Sequence, residues 1–224
     1  MVILLKVLLL CMAFFSFNEP SFAKEDRQKA IKAFLEKIPL NPYKTIDNAY
    51  KAQIVAYDPS LVCAIKYQND GVHYRLQTFA SRKEALDAGY ILTHLGGCGS
   101  CSTLQDLAVY LQHSDLTSMV RGCGVRPFAQ KRCLEKIGFS SECGKIWRQN
   151  IAHTAKKCLF VCLRHYGDPY NEEDGSLNPC LSCDEKYSGP VFKAVAGRTR
   201  RNSGIESAIL RRGEEVADVV HDYY

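Results

Sequence analysis

The sequence predicts a mainly α-helical (α+β) fold, a single disulfide-rich helical domain carrying one small β-hairpin. Three observations predict it. Apolar residues recur at helical spacing through much of the chain after Ser81. Ten of the 11 cysteines lie beyond a leader-like N-terminus, an even number suited to oxidative pairing. One pair of runs rich in β-branched and aromatic residues, Leu61–Tyr67 and Val72–Phe79, flanks the turn signature Asn69-Asp70-Gly71.

Residues 1–23 read as a secretory signal peptide. Lys6 precedes an apolar run from Val7 to Phe17, and Ser21-Phe22-Ala23 places small residues at −3 and −1 of a cleavage site before Lys24. The run is too short for a membrane span, and no later segment is apolar enough for one. Cys11 follows three leucines with no small residue, so no lipoprotein box is read. Residues 24–224 are thus expected to form one extracytoplasmic globular domain, secreted or periplasmic, long enough to bury one core. Removing Lys6 and Glu19 leaves the net charge of +5 unchanged. That excess allows an anionic ligand or partner but gives no strong nucleic-acid signal.

In chain order, Lys24–Glu36 is expected as an amphipathic helix stopped by Pro39 and Pro42, with a weaker helical pattern over Thr45–Tyr57. The hairpin follows, with Cys63 in its first strand. Ser81 and Glu84 have capping-box spacing and should start a helix reaching Leu95. Leu104, Leu107, Ala108 and Leu111 mark the buried face of a second helix, whose first turn would hold Cys101. Asp115 should cap a short helix through Val120, with a turn at Gly122-Cys123-Gly124. Pro127 suits the first position of a helix to Ile137. Ser140 or Ser141 should cap the longest helix, to His165. There Cys158 and Cys162 share a face and lie too far apart on a regular helix to bridge each other easily. Both are expected to pair outside that helix. Tyr166–Pro179 reads as a polar loop, Cys180–Ala196 as a helix, Ile205–Leu210 as a helical turn, and Glu214–Tyr223 as an acidic helix.

The most chemically suggestive stretch is His94-Leu95-Gly96-Gly97-Cys98-Gly99-Ser100-Cys101. A thiolate at a helix start is favoured by free N–H groups and the helix dipole, and His94 is a candidate base. Locally the stretch resembles the active-site segment of papain-like cysteine proteases, which implies a bridged Cys98 and a nucleophilic Cys101. It departs from that pattern at Ser102, where an aromatic residue is expected, and at Leu95, where the oxyanion glutamine is expected. The later His and Asn of that family have no clear equivalents. The tetrapeptide is also similar to the CxxC of thioredoxin-like oxidoreductases, although no strand is read just before His94. The alternative is that Cys98 and Cys101 are structural half-cystines.

Cys98, Cys101, Cys180 and Cys183 form a CxxC…CxxC set, but their separation and the leader favour oxidation over metal binding. Neither CxxC is followed by His, as haem attachment requires, and no cofactor motif is read. The turn Gly197–Gly204 offers Arg198, Arg200, Arg201 and Ser203 as an anion-binding group. The overall reading is a disulfide-stabilised extracytoplasmic protein whose candidate site is the Cys101 helix start. The alternatives are a cysteine-dependent enzyme using Cys101 with Cys98 or His94, and an anion-binding module using Arg198–Arg201.

Overall fold

The computed structural model describes residues 41–126 and 128–221. The leader, Cys11 and the expected Lys24–Glu36 helix lie outside the described residues. Residues 45–57 form turns around 47–51 rather than a helix. The backbone there is held by side chains of the long helix: Thr45 N–H donates to Glu142, Ala49 N–H donates to Gln149, and Lys145 donates to the Thr45 carbonyl. Pairing with a neighbouring element outweighs a weak local helical preference.

The hairpin is present as β1, Val62–Tyr67, and β2, Tyr74–Phe79, in register Val62 opposite Phe79. At its tip Asp70 accepts from the Val72 and His73 N–H groups, and Gly71 takes φ 65°. Ser81 caps α1, Arg82–Asp87, as its spacing predicts. That helix stops at Gly89, whose φ of 72° only glycine adopts cheaply. The chain then forms β3, Ile91–Leu95, antiparallel to β1, giving the sheet order β2-β1-β3. A third strand therefore replaces the expected helical continuation to Leu95. Central β1 begins with four consecutive buried residues because both its faces are covered. Cys63 bonds to Cys98 just beyond β3, closing the sheet onto the glycine-rich segment.

Thr103 caps α2, Leu104–Gln112, so the helix starts three residues after Cys101. Asp115 caps α3, Leu116–Gly124, which runs through the expected Gly122-Cys123-Gly124 turn. Helix α4, Gln130–Ile137, is clipped to it by the Cys123–Cys133 bond and ends at left-handed Gly138. Ser140 caps α5, Ser141–Arg164, within a residue of its expected ends. The predicted 180–196 helix is two: α6, Pro179–Tyr187, capped by Asn178, and α7, Gly189–Ala196. Pro190 cannot donate an N–H to the preceding turn, so the chain breaks at Ser188. Cys158–Cys183 and Cys162–Cys180 tie α5 to α6, so both cysteines pair outside their helix as expected. After Gly204 the chain is irregular, with one short 3₁₀ turn at Gly213–Glu215 in place of the expected helical segments.

The main core joins Ile65 of the sheet to Leu104, Leu107 and Val109 of α2, Leu134 of α4, Ile146 of α5 and Phe192 of α7. Each such side chain contributes about 1.5–3 kcal/mol on burial. A smaller cluster, Val62, Ala64, Phe79 and Ala85, fills the space between sheet and α1. The mainly α fold with a small β element and five disulfides is thus as the sequence predicts, with one strand more.

Candidate functional site

The segment from His94 to Ser102 is internal scaffold. Cys98 is bonded to Cys63, and fully buried Cys101 to Cys143 of α5. Neither carries a thiol in this form of the molecule. Cys101 also lies before the cap of α2, so it does not face that helix's free N–H groups. The N–H groups of Cys98, Gly99, Ser100 and Cys101 all donate internally, to Thr78, the Ser102 hydroxyl, Val195 and Ala196 respectively. None is left to bind an oxyanion. The last two of these bonds require the backbones of Gly99 and Gly197 to approach closely. A Cβ on Gly99 would lie 2.7 Å from the Ala196 carbonyl carbon, which explains the glycine without catalysis.

His94 lies in β3, not in a helix's last turn, and is fully buried. Its Nε2 is 2.7 Å from the Ser102 hydroxyl and its Nδ1 is 2.9 Å from the Leu95 carbonyl. The Nδ1–H therefore donates to the carbonyl, and Nε2 accepts from Ser102. Burial, with Arg198 nearby, holds the imidazole pKa well below its usual value, so the ring is neutral. It faces Ser102 rather than Cys101.

The arginine turn divides. Arg198 is fully buried and donates to the carbonyls of Thr93, Cys101 and Ser102 and to the hydroxyls of Thr93 and Ser203. It binds the sheet, the glycine-rich segment and its own turn together. Arg198 and Ser203 are thus occupied inside the protein. Arg200 and Arg201 instead border a cavity of 590 Å³ between α2, α5, α7 and residues 199–216. The second CxxC is also dispersed: Cys98, Cys101, Cys180 and Cys183 belong to four separate disulfides.

That cavity collects the polar groups that the rest of the fold leaves over. Among the described residues, three buried side-chain polar atoms have no hydrogen-bond partner: the Tyr110 hydroxyl, Trp147 Nε1 and Arg200 Nε. All three residues line the cavity. Such groups cost about 1–3 kcal/mol each unless water or a ligand meets them. Tyr110 is only 3 % exposed and burial raises its pKa, so its hydroxyl stays protonated; the Trp147 indole N–H lies beside that hydroxyl and acts in the opposite direction. The two Nη groups of Arg200 donate to the Glu206 and Tyr110 carbonyls, which fixes the guanidinium and leaves Nε without a partner among the described residues. Its charge lies 5.9 Å from the Tyr110 ring centre.

Several other charged groups around the cavity are matched. Arg201 and Arg211 share Glu185, and Arg201 also reaches Glu215. Asp184 accepts from Thr154 and Asn150, and burial raises its pKa. Lys193 lines the same space; its carbonyl accepts from the Gly197 N–H, while its side chain makes no hydrogen bond or ion pair among the described residues. Burial and then nearby Arg201 lower its pKa. Trp147, Phe192, Leu116 and Ile205 supply apolar walls.

Residues 128–219 match the model of a family of unknown function (DUF8771). The matched segment carries both α5–α6 disulfides, together with Trp147, Lys193 and Arg200; Tyr110 lies before it. No curated protein and no solved structure matches the chain. The signal for the cavity was partly legible in sequence, as the arginine turn. Tyr110, Trp147 and Lys193 were missed because they stand at ordinary helix positions on three different elements.

Proposed function

We propose that this is a secreted or periplasmic, disulfide-stabilised protein that binds a small molecule in the cavity bordered by Tyr110, Trp147, Lys193 and Arg200. One observation carries the reading: the three buried polar atoms without partners all belong to residues lining that one cavity. Binding sites characteristically combine apolar walls with a few convergent polar groups, and this cavity has that composition. The ten cysteines beyond the leader act as five structural bridges, which suits an oxidising compartment. The leader-like N-terminus supports the same compartment. Cys98, Cys101 and His94 then stabilise rather than catalyse.

Trp147 is the sole tryptophan of the chain, so its emission and indole N–H resonance report directly on occupancy. A set of small neutral, cationic and anionic fragments, titrated against the oxidised protein, should include members that shift these signals saturably. A set that leaves the indole unperturbed while the protein remains folded would mean a cleft holding only water.

A further inference from the structure

We infer that the outward face of the second half of α5 is a docking surface for an anionic lipid membrane, on which the protein adsorbs without crossing. The surface is independent of the cavity. Helix α5 has two sides of different use. Cys143, Ile146, Asn150 and Cys158 are buried on its inner side. At 3.6 residues per turn, Lys156, Phe160 and Leu163 fall on the opposite side, with Leu159 at its margin. Leu159 is 47 % exposed, Leu163 62 % and Phe160 85 %. Tyr166, 77 % exposed, follows on the turn that its N–H closes to the Leu163 carbonyl. Single exposed apolar residues are ordinary, but these four stand together at one helix end and form a ridge. The Cys158–Cys183 and Cys162–Cys180 bonds hold that end of α5 against α6, so the ridge exists before any partner arrives.

The charge around the ridge selects its occupant. From Gly144 to Arg164, α5 carries Lys145, Arg148, Lys156, Lys157 and Arg164 and no acid. Glu142, before them, is held by Thr45 and Lys44, and Asp168, after them, by His165. Residues 119–166 have ten Lys and Arg against two Glu, an excess of eight where the whole chain has +5. A second copy would set like charge against like, and residues 24–40 also hold more cations than acids. The partner is therefore anionic. It must also be apolar behind its charges, because an anionic polymer gives Phe160 and Leu163 nothing to bury against. Residues 156–166 span roughly 16 Å along a helix about 10 Å wide. That is far less than the ~800 Å² each side of a stable protein interface buries. A membrane needs no such area: a few bulky side chains enter the headgroup boundary while the flanking cations stay with anionic headgroups. Lys156, inside the ridge, reaches those headgroups by extending its aliphatic stem. No described helix is long and apolar enough to cross a membrane, and α5 lies along the surface.

The test floats oxidised protein, recovered after export, with vesicles of phosphatidylcholine alone or with about 30 % phosphatidylglycerol. Each variant is compared with wild type of the same processed form, so that the N-terminus contributes equally. The protein should bind the acidic vesicles at about 0.1 M salt, bind the neutral ones far less, and be largely released at about 0.5 M. Phe160→Gln with Leu163→Gln should weaken binding about tenfold or more. Lys156→Gln with Lys157→Gln should weaken it about fivefold for each cation removed. All four positions are exposed, so the melting temperature should not move. Leu86→Gln, at an apolar residue more than half exposed on α1, should leave binding unchanged. Equal binding to neutral and acidic vesicles would overturn the proposal, and so would acidic-vesicle binding that ignores either pair of substitutions. Absence of vesicle binding, with heparin retention that survives the Phe160 and Leu163 changes, would overturn it in favour of an anionic polymer. Absence of binding to both would leave the ridge without the partner assigned to it and overturn the proposal outright.

Discussion

At the scale of single residues, two buried ionisable groups pull stability in opposite directions with pH. Asp106 accepts from the Ser140 N–H, the Ser140 hydroxyl and the Thr103 hydroxyl, joining the caps of α2 and α5. Burial outweighs these donors and pushes its pKa up to about 6 from 3.8. The folded protein therefore holds this proton more tightly than the unfolded chain, so the group's contribution is full below about pH 4 and declines as pH rises through 6. His94 has the reverse sign. Its folded pKa lies well below 6.5, so its contribution is full above 6.5 and is lost as pH falls below that value. Between pH 4 and 6 the two partly cancel. Asp106→Asn removes one of them. Urea melts from pH 4 to pH 7 should show the wild type losing about 3 kcal/mol relative to this variant. A stability gap that does not change with pH would refute the assignment. Arg198 provides a second residue-scale prediction. Arg198→Met leaves the Thr93, Cys101 and Ser102 carbonyls without their guanidinium donor. It should cost about 3–5 kcal/mol in chemical denaturation, and a loss below about 1 kcal/mol would show that the arginine is not the tie between sheet and turn.

At the scale of elements, the two α5–α6 disulfides form consecutive rungs, four residues apart on α5 and three apart on α6. The Cys162–Cys180 ring spans 18 residues and lies wholly inside the 25-residue Cys158–Cys183 ring. A disulfide stabilises mainly by restricting the unfolded chain, and a ring already closed from outside has less freedom to lose. Cys101–Cys143 closes 42 residues, joins two fully buried cysteines and is not nested in another ring. Replacing Cys162 and Cys180 together by Ala should therefore cost less than the typical ~3 kcal/mol, and replacing Cys101 and Cys143 about 4 kcal/mol or more. The reverse order of melting temperatures would contradict this account. The same elements show which signals a sequence carries. Ser81, Asp115 and Ser140 start their helices where side-chain capping dictates, because a cap is a local bond to an N–H two or three residues on. The i, i+4 placement of Cys158 and Cys162 also fixed that they pair elsewhere. By contrast, Ile91–Leu95 reads as helix locally and becomes strand because β1 offers it an edge. Gly89 was the one local sign of the break. The Gly96–Cys101 motif looked catalytic because glycine beside cysteine has two explanations, and close packing against α7 can be seen only once the chain is folded.

At the scale of the whole molecule, the bridges divide the labour of holding together a fold with a small sheet and seven helices among the described residues. Cys63–Cys98 ties sheet to loop, Cys101–Cys143 ties that loop to α5, Cys123–Cys133 joins α3 to α4, and the remaining two join α5 to α6. Of the elements that frame the cavity, α5 and α6 are bridged directly, α2 follows the bridged Cys101 and α7 follows the bridged α6, whereas residues 199–216 carry no cysteine. Those residues carry no bridge and are held by Ile205, buried in the core, and by polar contacts: Ala208 N–H donates to the Ser114 carbonyl, Leu210 N–H to Asn171, and Arg211 to Glu185. A cavity framed in part by bridged helices, with one wall that carries no bridge, can admit a ligand without breaking covalent links. Hydrogen exchange should therefore be faster at Ala208 and Leu210 than in α5 or α7, and should slow on ligand binding. The compartment is the last consequence. The ten cysteines after Cys11 are all paired, so on the proposed secretion, with cleavage after Ala23, the product is expected to begin at Lys24 and contain no free thiol. Intact mass spectrometry of protein exported to an oxidising compartment should find it about 10 Da lighter than its fully reduced form, the mass of the hydrogens lost in forming the bridges. Thiol alkylation under denaturing, non-reducing conditions should add nothing. One or two alkylated cysteines, mapped to Cys98 or Cys101, would return the thiol chemistry to consideration; a product that keeps its leader would overturn the compartment.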